Sequence, residues 1–388
     1  MIFSKLKINN WRNFKSVDVE LHERVFLVGP NASGKSNLLD VFRFLRDIAR
    51  SGGGLQKAVE DRGGVSKIRC LSARTHSDIE IEVHLAEPDS RKVLWKYAIG
   101  FTQTGGGIAK KRAKLKFEKV WRGDDELILN RPGPEDQQDE KQLEYTHIEQ
   151  PTANSAFRDI VDFFEHIQYM HLLPQTLRES RPLHQNGNGD EDISGRHFIE
   201  RISTINTKTR QAYLRKIEDV LRLAVPQFEK LELVKDDMGA PHLQTIYKHW
   251  RPRGAKQWED QFSDGTLRLI GFFWALQDGT RPILFEEPEL SLHAGIVSRL
   301  AEVIAKLQQK KSGMRQVILT THSQDLLSNP GIAGEEVLML MPGNEGTVVQ
   351  NMGALEDVAM LLQEGMSVGD IAIPRTMPRD IHELSQQF

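Results

Sequence analysis

Apolar and polar residues alternate from the start of the chain. Leu6 and Ile8, then Val17, Val19 and Leu21, mark strands with one buried face, and the unbroken apolar run Val25, Phe26, Leu27, Val28 marks a strand buried on both faces. A Gly-rich turn separates that run from residues 33–50, where Leu38, Val41, Phe42, Leu45 and Ile48 recur at helical spacing. The chain thus opens as strand, loop, helix. Between residues 78 and 145 the period switches to two, as in Val93, Trp95, Tyr97, Ile99 and Phe101, which predicts an antiparallel β lobe.

Polar stretches at 132–141 and 184–194 read as linkers or loop tips. Between them and the C-terminal third lie one or two helices over 198–223 and strands near 231–234 and 243–247. Residues 262–342 then alternate helix and strand as a parallel sheet requires. The expected organisation is an N-terminal part of an α/β core (1–77), the β lobe (78–175), a helical insertion with connecting strands (176–260), a C-terminal part of the core (261–345) and a tail (346–388). The tail carries a strand pair near 337–341 and 347–350, a helix near 355–363 and a Pro-punctuated end, read as a disordered terminus or a docking segment. No internal repeat is present, and the spacing leaves no room for a long coiled-coil arm.

Composition narrows the class. The longest apolar run, around Leu269 to Leu276, is far short of the roughly 20 residues that cross a bilayer, and the N-terminus lacks an apolar signal core, so a cytoplasmic, membrane-free protein is expected. The single cysteine, Cys70, allows no intrachain disulfide and reads as a small core residue. A net charge of −3 builds in no long-range attraction to nucleic acid, so any DNA contact must be local.

The turn after the first buried strand is Gly29, Pro30, Asn31, Ala32, Ser33, Gly34, Lys35, Ser36, followed by Asn37. It matches the phosphate-loop pattern without a mismatch and sits between strand and helix, as the mechanism requires. Its glycines let successive N–H groups face phosphates at a helix N-terminus. Lys35 supplies a charge to the β and γ phosphates, and the Ser36 hydroxyl suits Mg²⁺.

Far along the chain, Ile283, Leu284 and Phe285 form an apolar strand ending in Glu286, Glu287, Pro288, Glu289. In a nucleotide fold such a strand delivers carboxylates beside the phosphates. Glu286 is read as a member of the Mg²⁺ shell, Glu287 as the group that orients or deprotonates the attacking water, and Glu289 as structural or interfacial. Phe262, Ser263, Asp264 and Gly265 precede an apolar helix, a helix N-terminus suited to an anion. The strand over 316–319 leads to Thr320, Thr321, His322 and Ser323, which places an imidazole at the same sheet edge.

The order GPNASGKSN, FSDGT, ILFEEPELSLH, LTTHS, with the opening LKINNWRNF, resembles the ATPase head of the RecF, SMC and OLD branch of the ABC superfamily. The resemblance implies an α/β fold, a P-loop ATPase head with a mixed or parallel sheet, an antiparallel β lobe and a helical insertion. It implies ATP and Mg²⁺ as cofactors and a head-to-tail homodimer, or a higher even oligomer, in which Ser263, Asp264 and Gly265 of one protomer close over ATP held by the other. Gln175 is then a candidate for the glutamine that senses the metal. Two departures stand out: Glu286 where an Asp is commoner, and Asp264 where the signature usually has glycine. Both point to slow hydrolysis.

Three roles fit such a head. A defence-type regulator, similar to OLD-like and abortive-infection ATPases, would gate a separate effector such as a TOPRIM-like nuclease. About 65 residues follow His322 without an Asp-x-Asp pair, which suits the ATPase half alone. A RecF-like clamp would bind DNA, for which Lys110, Lys111 and Arg112, continued by Lys114 and Lys116, and a second cluster at 248–253 with Trp250, are the local basic patches. A transporter subunit fits least.

Overall fold

The computed structural model describes residues 1–73, 78–105, 111–178, 197–248, 255–310 and 315–377. In chain order the first eight strands are β1 (Ile2–Trp11), β2 (Phe14–Glu20), β3 (Arg24–Val28), β4 (Ile79–Ala86), β5 (Val93–Thr104), β6 (Arg112–Arg122), β7 (Glu126–Arg131) and β8 (Gln168–Met170). The others are β9 (Phe228–Lys235), β10 (Pro241–Tyr247), β11 (Ala255–Trp258), β12 (Ile283–Glu286), β13 (Val317–Thr321), β14 (Val337–Gly343) and β15 (Gly346–Asn351).

They make three sheets: an antiparallel sheet ordered β2-β1-β4-β5-β6-β7, a central sheet ordered β15-β14-β3-β13-β12-β8, and a small one ordered β11-β10-β9. The central sheet is parallel from β14 to β8, with β15 antiparallel at one edge. The expected β lobe is present, but its sheet also takes in β1 and β2, so it crosses the boundary drawn at residue 77.

The central sheet divides two cores by strict alternation. Val25 and Leu27 of β3, with Leu284, Ile318 and Leu338, face the helix Lys35–Ala49 and the antiparallel sheet behind it. Phe26 and Val28, with Ile283, Phe285, Leu319 and Met339, face the other side. There the helix Asp264–Gln277 is buried almost all round, which explains why its apolar run has no polar stripe. Gln316, 1% exposed, joins the sheets: its side chain accepts from Phe3 N–H (2.9 Å) and donates to the carbonyls of Phe3 and His22 (both 2.7 Å). Cys70 is a buried free thiol.

Two expectations change. The stretch 132–141 is no bare linker: a short helix, Pro134–Gln138, and a 3-10 turn, Glu140–Glu144, fold down because the buried Asp136 pairs with Arg131, which also binds the carbonyls of Gln142 and Tyr145. The tail is ordered through 376 as well. The helix Val368–Thr376, started by a Ser367–Asp370 capping box, buries Val368, Ile371 and Ala372 against the turn Gln324–Leu327. Residues 184–194 and 378–388 lie outside the described residues. Among the described residues no helix is long and apolar enough to cross a membrane.

Candidate functional site

Parallel strands β3, β13 and β12 end side by side, and each ends in a loop carrying site residues. β3 runs into the phosphate loop, where Ala32 (φ 63°) and Gly34 (φ 95°) take left-handed conformations before the helix starts at Lys35. Lys35 Nζ donates to the carbonyls of Gly29 (3.0 Å) and Pro30 (3.3 Å) and lies 2.6 Å from His322 Nε2. Burial lowers the Lys35 pKa against the opposing pull of Glu287, Glu286 and Glu289. The Ser36 hydroxyl donates to Glu286 Oε1. Ser33 Oγ is wholly buried with no partner, an orphaned polar atom beneath the loop.

Glu287 sits at φ 42°, an uncommon backbone for a residue with a side chain, fixed by its N–H donating to Thr320 Oγ1 (3.0 Å). Its carboxylate lies 3.1 Å from His322 Nε2. Hydrogen bonding to His322 is the main reason its pKa is lowered, burial acting in the opposite sense. One imidazole nitrogen is thus shared between an ammonium that can only donate and a carboxylate that can only accept.

Segments 35 to almost 290 residues apart in sequence therefore meet in one place as a lysine, a hydroxyl, two carboxylates and an imidazole. The family model described as an AAA domain, putative AbiEii toxin, type IV TA system, matches residues 24–328, a span holding every one of these groups. The chain belongs to this AAA-domain family. The fold is that of an SMC ATPase head. An SMC head bound to the C-terminal winged-helix domain of ScpA matches at 15% identity and TM-score 0.53, covering 91% of this chain and 99% of that one. A Pyrococcus furiosus-derived Smc head with an extended coiled coil, bound to the ScpA C-terminal domain, matches at 13% and 0.54, covering 93% and 98%. Among curated proteins there is no match.

In this AAA-domain chain the residues expected to act as a signature are held by partners of their own. Ser263 caps its helix, accepting from Thr266 N–H, and Asp264 pairs with Arg178 of the same chain. A Cβ on Gly265 would meet the Ser291 carbonyl at 2.8 Å. No hydrogen bond or ion pair joins Ser263, Asp264 or Gly265 to residues 29–37 within the protomer. The Arg178 pair gives Asp264 a partner within its own chain. Gln175 is exposed in the short helix Pro174–Arg178 and has no hydrogen bond to Ser36 or Glu286.

Asn13, and Glu289, which the sequence reads as structural or interfacial, build the site's frame. Asn13, in the β1–β2 turn, donates to Ser33 O (2.8 Å) and Thr347 Oγ1 (2.7 Å) and accepts from the Asn37 amide (2.8 Å), tying the phosphate loop to β15. Asn31 is exposed at the tip of that loop. Glu289, 8% exposed and with its pKa raised by burial, accepts from Thr321 Oγ1 (2.5 Å) and His322 N–H (3.2 Å), holding the turn that aims the imidazole. Only the pairing of distant strands reveals which groups these two residues hold. A Cβ on Gly34 would meet the Asn13 amide at 2.2 Å, on top of the roughly 1–2 kcal/mol that a left-handed backbone costs a residue with a side chain. Gly34→Ala is expected to weaken ATP binding by at least about tenfold, one factor of ten per 1.4 kcal/mol, with the circular dichroism spectrum unchanged.

The basic row on β6 is neutralised within the fold. Arg112 pairs with Glu144, Lys114 with Glu140 (2.5 Å) and Lys116 with Asp78 (3.8 Å). Lys110 and residues 249–253 lie outside the described residues.

Proposed function

We propose that this chain binds ATP with Mg²⁺ and hydrolyses it slowly, that two copies close head-to-tail on the nucleotide, and that the closed state gates a separate effector, a nuclease of the TOPRIM kind, in a defence-type complex. The observation that carries the reading is the meeting of Lys35, Ser36, Glu286, Glu287 and His322 at one sheet edge.

The residues fit the group. Lys35, whose ammonium donates to loop carbonyls and lies beside an imidazole, can turn to β and γ phosphates, and the loop amides and helix N-terminus favour the same anion. Ser36 and Glu286 offer hard oxygen ligands in contact with each other. Among the described residues there is no cage of three or more His, Cys, Asp or Glu, which suits an ion that takes its remaining ligands from phosphate and water. Bound Mg²⁺ would neutralise charge developing on the transferred phosphoryl group. Glu287 accepts the proton of the attacking water, and His322 stands beside both Glu287 and Lys35 to follow the charge at the γ position.

Ser263, Asp264 and Gly265 make no hydrogen bond or ion pair with their own phosphate loop, which supports a second protomer supplying them. The ion-paired β6 row favours the effector reading over a DNA clamp. The two SMC heads that resemble this fold were each found bound to part of ScpA, so heads of this shape do take protein partners.

The test is the native mass of the Glu287→Gln protein co-expressed with its chromosomal neighbours, with and without ATP and Mg²⁺. An even-numbered, ATP-dependent assembly carrying a second polypeptide is expected. A bare ATP-dependent dimer would argue for the clamp, and no response to ATP would overturn the signature assignment. Turnover at motor-ATPase rates would contradict slow hydrolysis.

A further inference from the structure

Glu286 is longer by one methylene than the aspartate commoner at this point, and a longer side chain has more rotamers to lose before its carboxylate can serve a metal. Its two oxygens are held from opposite sides. Ser36 donates to Oε1, and the phenol of Tyr169 donates to Oε2. Tyr169 belongs to β8, the three-residue edge strand parallel to β12, where it pairs with Leu284; Glu286 is two residues on from Leu284 and shares its face. The phenol is itself fixed: Tyr169 is 8% exposed and its ring lies 4.3 Å under the Arg43 guanidinium, which comes from the same helix as Ser36. His171, just past β8, places Nδ1 3.9 Å from the same Oε2.

We propose that Tyr169 is a positioning residue for Glu286: its hydroxyl takes Oε2 and leaves Oε1, on the Ser36 side, to face the metal. β8 thereby makes a glutamate usable where a shorter acid would need no brace. The inference rests on the ATP–Mg²⁺ reading of the site and adds a residue to it.

The experiment is binding of Mn²⁺, followed by electron paramagnetic resonance, to the full chain with a non-hydrolysable ATP analogue, alongside analogue binding in EDTA. Tyr169→Phe is expected to weaken Mn²⁺ binding roughly 10–100-fold, the usual cost of losing a group that orients a metal ligand, while metal-free analogue binding stays within about twofold. In a Glu286→Asp background, whose carboxylate no longer reaches the phenol, Tyr169→Phe should change Mn²⁺ binding by less than about twofold. An equal loss in both backgrounds, a parallel loss of metal-free binding, or no loss at all would each overturn the proposal. If the unsubstituted chain binds the analogue but no Mn²⁺, this inference falls and nucleotide binding survives; if it binds neither, the functional reading falls with it.

Discussion

Glu287→Gln is expected to lower kcat for ATP hydrolysis by about 10²–10⁴-fold, the range that a positioned general base contributes, with ATP affinity changed only a few-fold. The amide keeps the shape of the side chain but cannot take a proton. The position is built for a carboxylate: the strained backbone at φ 42° is pinned by Thr320, and the hydrogen bond from His322 favours the charged form. Lys35, Ser36 and the loop amides, which would hold the nucleotide, are untouched. Phosphate release under single-turnover conditions and equilibrium binding of a fluorescent ATP analogue check the two halves separately. A loss smaller than about tenfold would move the base role to another group. A matching loss of affinity would instead make Glu287 a binding residue.

What the sequence showed of this site was what lies in contiguous strings at strand ends. Gly29–Ser36, Glu286–Glu287 and His322 could each be placed because an apolar run followed by a polar turn locates the carboxyl end of a buried strand. Gln175 follows the apolar run Tyr169 to Leu173 and is a candidate only through the family resemblance, and the string around it says nothing of register. The side chains that reach Glu286 from β8 are Tyr169 and, less closely, His171, while Gln175 is exposed. Asn13, Glu289 and Tyr169 act across separations of 20 to 334 residues, and no local pattern marks such partners. The fold was legible in the same measure. Period-two alternation found the antiparallel lobe, yet the pairing of β1 with β4, about 70 residues apart, is decided by the joint burial of Leu6, Ile8, Ile81 and Val83. The acidic stretch at 132–141 looked solvated because composition cannot tell a charge facing water from one facing a buried partner.

That buried partner sets the second large effect. Arg131→Ala is expected to destabilise the chain by about 3–5 kcal/mol, a large share of the roughly 5–15 kcal/mol typical of a folded domain. Glu118, on β6, is fully buried and accepts from His147 N–H (2.7 Å), Arg131 Nη1 (3.1 Å), Ile148 N–H (3.1 Å) and the Tyr97 hydroxyl (3.2 Å). Arg131, 3% exposed, also donates to Asp136 Oδ1 (2.6 Å). Truncating it strands two carboxylates in the interior and frees the carbonyls of Gln142 and Tyr145. Adding Glu118→Gln should recover part of the loss, because the amide carbonyl can still accept from one of the two backbone N–H groups while one unpaired charge is gone. Burial already raises the Glu118 pKa; burial also pushes that of Asp136 up, but the Arg131 and Gly133 hydrogen bonds outweigh it and hold it below its ordinary value. In the native chain, Asp136 therefore contributes stability above the ordinary aspartate pKa that is lost as pH falls, whereas the ionised form of Glu118 costs stability that falling pH relieves. Without Arg131 both groups are destabilising when charged, so the gap between native and variant chains, measured by urea unfolding, should narrow as pH falls through the carboxylate range. A gap that stays constant with pH would mean that Arg131 acts through packing and its backbone hydrogen bonds, with no part for the two buried charges.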